Sequence, residues 1–367
     1  MSKINLTICI ATIAVLLNAC GDNRRFTISG SVDDPALNGE KLYLLDLYGD
    51  SEAPVDSCVV TDGHYTLQGN VAEPWLAALQ GATTSYTAAC VVEPGTIVIG
   101  DDSLGGTPLN EQLFRFNRAI SLDSLTEEME QCMAVYYTAG DANERAAAER
   151  KLDSLQTLGT EQVLAESWNL YNANHDNVLA LHAMQAIVGM GVFEYAEFDS
   201  IIKAATPMVA NHPSVQEKLS QLRAIEATSV GKHYTDIQGV DGRLSDLIDG
   251  RVALVDFYAS WCGPCRFEIR DNLVPLWKKY QDKGLVIVGL NVWERGDRDA
   301  REAAHRKVMD ELGITYPQLV DSTRTATDTY GVLGIPQIML IGRDGTILAR
   351  DLRGDAIEEA VVKALGK

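Results

Sequence analysis

Apolar residues fall along this chain in three textures, and each predicts a different class of element. From about residue 24 to 102 they come in short runs, among them "FTISGSV", "KLYLLDL", "HYTLQG", "YTAACVV" and "GTIVIG". These runs are rich in β-branched and aromatic residues and are separated by Gly, Asp, Asn and Pro, which predicts strands. Asp62-Gly63 between two of them predicts a hairpin turn. Several short strands at this spacing predict a small β-sandwich. From about 108 to 230 the apolar residues return at helical spacing among Ala, Glu, Gln and Leu, as in "NVLALHAMQAIVGM". That pattern predicts a helical segment that spaces the two ends apart.

Beyond residue 230 strand-like and helix-like runs alternate. "RVALVDFY", "GLVIVGLNVW" and "QLV" read as strands, and "CRFEIRDNLVPLWKKYQ" reads as a helix kinked at Pro275. "DAREAAHRKVMDEL" and "STRTATDTYGV" read as further helices. "PQIMLIG" and "TILARDL", joined across Arg343-Asp344-Gly345, form a hairpin, and "AIEEAVVKALGK" closes the chain as a helix. A hairpin appended to a strand–helix alternation makes the sheet mixed and the fold α/β. The expected architecture is multidomain, with an all-β sandwich over 20–102, a helical spacer over 103–230 and an α/β domain over 231–367.

Composition adds one exclusion and one bound. The 367 residues carry a formal charge of −20, which argues against nucleic acid as a partner. The hydrophobic content of 46 % suits a soluble globular protein of two or three domains. The first residues, "MSKINLTICIATIAVLLNAC", place an apolar run from Ile4 to Leu17 behind a single Lys3. That run is shorter than the roughly 20 residues of a spanning helix, so a signal peptide over 1–19 is expected. Its end, "LNAC", resembles a bacterial lipobox, although Asn18 departs from the usual small or aliphatic residue. The resemblance implies cleavage before Cys20, lipidation of that cysteine and loss of Cys9. Acyl chains would then tether the protein to the periplasmic face of the cell envelope. Gly21 is not the aspartate that often retains lipoproteins at the inner membrane, which favours the outer one.

The candidate chemistry lies in "ASWCGPCRFE". At a strand-to-helix turn, Cys262 falls near the helix N-terminus, where free N–H groups stabilise a thiolate. Cys265, three residues on, comes round to the same face and lies deeper, within disulfide reach. Cys262 can then attack a substrate disulfide and Cys265 can release the mixed disulfide. Gly263 and Pro264 keep the turn tight. A zinc site would need four ligands, yet there is no second Cys-x-x-Cys, and His233 and His305 lack ligand spacing. A purely structural disulfide closing so short a loop would stabilise little. A peroxidase of the peroxiredoxin kind would want Pro and Thr ahead of its reactive cysteine, where this chain has Val255 and Ala259. Cys58 and Cys90 fall on expected strands and Cys132 on a helix, and pairing of the first two after export is left open. Neither a metal nor a cofactor is expected.

"VDFYASWCGPCRFE" resembles the active-site strand, turn and helix of thioredoxins, and the likeness runs over about 235–367. The extra strand-and-helix material after the first helix resembles the TlpA/ResA branch of membrane-anchored thiol–disulfide oxidoreductases. The β domain, with "DSCVVTDGHYTLQG", resembles an N-terminal domain of unknown function found ahead of thioredoxin modules in exported lipoproteins. The resemblance implies that Pro336 in "GIPQIMLIGRDGTI" is a cis residue facing the cysteines, that Ile335 offers backbone groups to a substrate strand, and that Trp261 lies beside the disulfide. It also implies that Asp256 moves the proton of Cys265. Glu268 matches an acid of the ResA-like branch, so two candidate proton routes stand side by side. The expected activity is reduction of disulfides in exported proteins, with electrons from a membrane donor. A binding or scaffold lipoprotein with a docking thioredoxin module, and a thioredoxin-like peroxide reductase, remain as alternatives.

Overall fold

The computed structural model describes residues 24–366 apart from 50, 52 and 241, and leaves the side chains of residues 124 and 142 undescribed. The expected signal segment and Cys20 lie outside the described residues. The chain divides into two compact units, one up to Met190 and one from Gly191 to Lys367.

Among the described residues of the first unit eight strands make two four-stranded sheets. In chain order they are β1 (Arg25–Ser31), β2 (Lys41–Asp46), β3 (Asp56–Val59), β4 (His64–Asn70), β5 (Trp75–Gly81), β6 (Thr87–Val92), β7 (Gly95–Gly100) and β8 (Ser103–Gly105). The sheet orders are β4-β1-β7-β8 and β3-β2-β5-β6, with only β1 and β7 parallel. Alternate residues of both sheets, including Ile28, Leu42, Leu79, Cys90 and Ile97, form one buried core, so this is a sandwich. Cys58, Cys90 and Cys132 are free thiols. Burial pushes the Cys90 thiol up to about 12, which keeps it protonated. Asp62 and Gly63 both take positive φ, 51° and 75°, as the expected tight turn requires. The strands on either side of it nevertheless diverge, β3 into one sheet and β4 into the other.

Gly30 sits opposite Tyr65 in the β1–β4 register. A Cβ at Gly30 would overlap the Tyr65 ring, which lies across the glycine with its hydroxyl 2.9 Å from that of Tyr86. Gly30→Ala should therefore displace a buried tyrosine and lower stability by about 1–3 kcal/mol. Thermal unfolding checks this, and an unchanged Tm would refute the packing account.

The other faces of β5 and β6 are apolar too. Leu76 and Val91 point away from the sandwich core and are covered by helices α1 (Pro108–Ala119), α3 (Ala142–Ala173) and α4 (Val178–Met190), with α2 (Asp123–Thr138) packed on α3. Asn110 anchors this layer, because its fully buried amide both donates to and accepts from the Val91 backbone. The helical stretch over 103–230 is consequently divided, since α5 (Tyr195–Ala204), α6 (Pro207–Ala210) and α7 (Pro213–Ala227) belong to the second unit. There, just past α7, Thr228 accepts from the Arg350 guanidinium through its carbonyl (2.8 Å) and its hydroxyl (2.6 Å). The same guanidinium reaches the Tyr330 carbonyl at 2.8 Å.

The remaining elements of the second unit are α8 (Leu244–Ile248), β9 (Val252–Tyr258), α9 (Gly263–Glu268), α10 (Val274–Tyr280), β10 (Leu285–Asn291), α11 (Arg298–Leu312), β11 (Gln318–Val320), α12 (Thr325–Tyr330), β12 (Gln337–Ile341), β13 (Ile347–Ala349) and α13 (Asp355–Ala364). Their sheet runs β11-β10-β9-β12-β13. β9, β10 and β11 are parallel, while β12 and β13 are antiparallel additions, as the hairpin pattern requires. Every residue of β9 and β10 is buried, because helices cover both faces of the sheet. Between α9 and α10 the backbone widens to i→i+5 bonding over Ile269–Leu273, immediately before Pro275, which has no N–H to continue the ladder. Among the described residues no helix is long and apolar enough to cross a membrane.

Candidate active site

β9 ends at Tyr258 and the chain turns through "ASW" into α9, with Cys262 at its N-cap. Cys262 and Cys265 are joined as a disulfide, with Cα atoms 5.3 Å apart. Cys262 Sγ also accepts from the Cys265 backbone N–H at 3.2 Å. Once the bond is reduced, that N–H points at the atom that would carry the thiolate charge. The two cysteines, both buried, differ slightly in access: Cys262 retains 5 % exposure and Cys265 none.

Opposite them, the Ile335–Pro336 bond is cis, and the Ile335 carbonyl oxygen lies 3.7 Å from Cys262 Sγ. Pro336 is buried and Ile335 half-buried. Two large apolar side chains stand exposed near this opening, Trp261 at 42 % and Leu333 at 61 %. Trp261 is fixed by donation from Nε1 to the Trp293 carbonyl at 3.0 Å, with the Arg295 guanidinium 4.3 Å above its ring.

Asp256 lies in the central strand with no exposure, on the face of β9 that carries Leu254 and Tyr258 into the same cluster as the two cysteines. Neither carboxyl oxygen has a hydrogen-bond partner among the described residues. Burial therefore pushes this acid up to about 8; the Arg353 charge pulls the other way and Glu268 adds a smaller upward push. Tyr316, whose hydroxyl is likewise buried and unpartnered, is held well above its ordinary value by burial, with Asp256 and Tyr258 adding to it.

Glu268 turns inward from the end of α9 and is only 7 % exposed. It accepts from Asn272 Nδ2 at 2.7 Å and from the Gly354 N–H at 3.2 Å. Beside Gly354, Arg353 donates to the Pro336 carbonyl. The short segment before α13 thus ties the proline loop to the buried acid.

A scan of family models matches residues 224–350 to the AhpC/TSA family and residues 26–113 to a domain of unknown function, DUF4369. Among curated proteins, the thiol-disulfide oxidoreductase ResA of Bacillus thuringiensis (strain Al Hakam) is 31 % identical over 128 residues, which cover 34 % of this chain and 69 % of that one. The chain belongs to the ResA-like family of thiol-disulfide oxidoreductases. The oxidoreductase is also similar to the thiol:disulfide interchange protein HelX of Rhodobacter capsulatus, at 29 % identity over 51 % of this chain and 91 % of that one. A crystal structure of the thioredoxin domain of a Bacteroides vulgatus thiol-disulfide oxidoreductase aligns at 30 % identity with a TM-score of 0.33, covering 37 % of this chain and 96 % of that one.

In this oxidoreductase the residues picked from the sequence gather in one place: Cys262, Cys265, Trp261, Ile335 and Pro336 at the opening, Asp256 and Glu268 beneath it. Arg353, Asn272 and Tyr316 were not anticipated. Arg353 has no local signature, because it reaches the site only through the β12–β13 hairpin. Asn272 could have been found from its position four residues after Glu268, on the same helical face.

Proposed function

We propose that this oxidoreductase works as a reductase of disulfides in exported proteins, with Cys262 as the attacking and Cys265 as the resolving cysteine. Cys262 thiolate attacks one sulfur of the substrate disulfide and displaces the other as a thiol. Cys265, as it loses its proton, then attacks Cys262 Sγ and frees the second substrate thiol. Two electrons pass to the substrate, and the enzyme is left with the disulfide seen here. A membrane donor would return it to the dithiol.

The observation that carries this reading is a disulfide whose first cysteine is less buried than its second, with an unpartnered buried acid on the neighbouring strand. A carboxylate in that environment binds a proton near neutral pH, which suits it to take the proton of Cys265. The exposed Trp261 and Leu333, with the Ile335 carbonyl at the rim, suit an extended substrate segment. Glu268, tied to the proline loop through Gly354, is assigned a supporting role in that proton path. The reading includes a lipid anchor at Cys20 and a place on the periplasmic side of the cell envelope, consistent with the apolar leader.

The Gly-Pro dipeptide between the cysteines supports the reducing direction. Equilibration of the full chain in glutathione or dithiothreitol buffers tests it, with a potential near about −270 mV expected and one near about −120 mV reversing the direction. The AhpC/TSA match invites a peroxidase reading, but Val255 and Ala259 occupy the positions where such a site wants Pro and Thr.

A further inference from the structure

A cavity of about 1130 Å³ opens beside the redox turn, where β10 and β11 end and α11 begins. Its wall is bonded directly to the two residues ahead of Cys262. Trp261 donates to the Trp293 carbonyl at 3.0 Å, and Glu294 accepts from the Ser260 N–H (2.6 Å) and hydroxyl (2.7 Å). These bonds place the cavity wall next to the redox turn.

The cavity is unusual for a chain of charge −20, because four arginines line it: Arg298, Arg301, Arg306 and Arg324. Three carboxylates line it as well, but each is already committed. Glu294 is held by Ser260 and by Asn291 Nδ2 at 2.8 Å. Asp321 caps its own turn, accepting from the Thr323 and Ala326 N–H groups at 3.0 and 2.8 Å. Glu302 pairs with Arg306 at 2.9 Å and with Arg298 at 3.7 Å.

Two guanidiniums are left over. Among the described residues Arg301 reaches only the Asp297 carbonyl, at 3.3 Å, and Arg324 lies over the Trp293 ring, 5.8 Å from its centre. Neither has a carboxylate partner among the described residues. Trp293 and Arg324 also both hold left-handed backbone, φ 53° and 67°, a conformation that costs energy for bulky residues and persists where the surroundings enforce it. Two planar guanidiniums lining one cavity, one of them over an indole ring, suit carboxylates, which a guanidinium binds in bidentate fashion.

We propose that this cavity receives acidic side chains of the substrate protein next to its disulfide, so that the enzyme prefers disulfides with acidic flanks. This rests on the reductase reading above. Binding at Arg301 and Arg324 would seat the flank and hold the disulfide against Cys262.

The test uses the reduced full chain and three disulfide-cyclised peptides of equal length, flanked by Glu, Gln or Lys, with the second-order rate constant of exchange as the readout. The Glu-flanked peptide should react about tenfold faster than the Gln-flanked one. Arg301→Glu with Arg324→Glu should invert the order, so that the Lys-flanked peptide becomes the fastest. The milder pair Arg301→Gln and Arg324→Gln should level all three, which guards against a charge reversal that misfolds. Equal rates for the three peptides with the parent enzyme would overturn the inference while leaving the reductase reading intact. An order unchanged in both variant pairs would overturn it as well. No exchange with any peptide or with hydroxyethyl disulfide would overturn the reductase reading and this inference together.

Discussion

Cys262→Ser will abolish exchange, with a loss of at least about a thousandfold in the rate of disulfide reduction, because a serine hydroxyl at neutral pH is not a nucleophile towards sulfur. Cys265→Ser should behave differently. Cys262, the less buried of the two, keeps its N–H donor and its access to substrate, so the first attack survives while resolution does not. Mixed disulfides should then accumulate on Cys262, visible as discrete adducts on non-reducing gels and released by dithiothreitol. If Cys265→Ser traps nothing and Cys262→Ser traps adducts, the assignment of the two roles is reversed. If neither variant traps a partner, the scaffold alternative gains the ground.

Asp256→Asn should change stability and rate together, and both changes should depend on pH. The Asp256 carboxyl is pushed by burial from 3.8 up to about 8. Between those values the folded chain holds a proton that the unfolded chain has released, so stability falls as pH rises. The contribution is fully present below about pH 4, is lost progressively towards about pH 8, and levels off beyond it. Its full span is on the order of 5 kcal/mol. Asparagine does not titrate, so Tm of the variant should gain on the parent as pH rises. Its amide has unmet hydrogen-bonding needs of its own, which makes the difference between pH 5 and pH 8.5 the proper readout rather than either value alone. Exchange should slow by about ten- to a hundredfold and lose its inflection near pH 8. A Tm difference that is the same at both pH values would refute the buried-acid account.

How much of this was legible in the sequence depended on distance along the chain. The disulfide pair, its tryptophan and the helix they open occupy one short stretch, and local spacing alone places Cys265 deeper than Cys262. The strands of the sandwich were legible for the same reason, since each is a short run bounded by turn residues. The partition of those strands was not, because Asp62-Gly63 reads as an ordinary hairpin and nothing local reveals that β3 and β4 leave it for different sheets. From the sequence, Asp256 had a solvated place at a strand edge as its lesser alternative. Its burial follows from the place of β9 inside the sheet, between β10 and β12, with helices over both faces, which is a property of topology. Glu268 could have faced solvent from a helix. It is buried because the segment before α13, more than eighty residues later, closes over it. The apolar outer face of β5 and β6 explains the misleading look of the middle region. Its helices are periodic enough to suggest a free-standing spacer, yet Leu76 and Val91 supply the cover they need.

The three bonds from Arg350 to Thr228 and Tyr330 set where this protein can be cut. A fragment beginning at residue 231 would contain every strand of the mixed sheet and both cysteines, and by sequence likeness would look whole. It would also strip two of three acceptors from a half-buried guanidinium and remove the helix that covers α12. Whoever transplants this module, by gene fusion or through evolution by recombination, must carry α7 and Thr228 along with it.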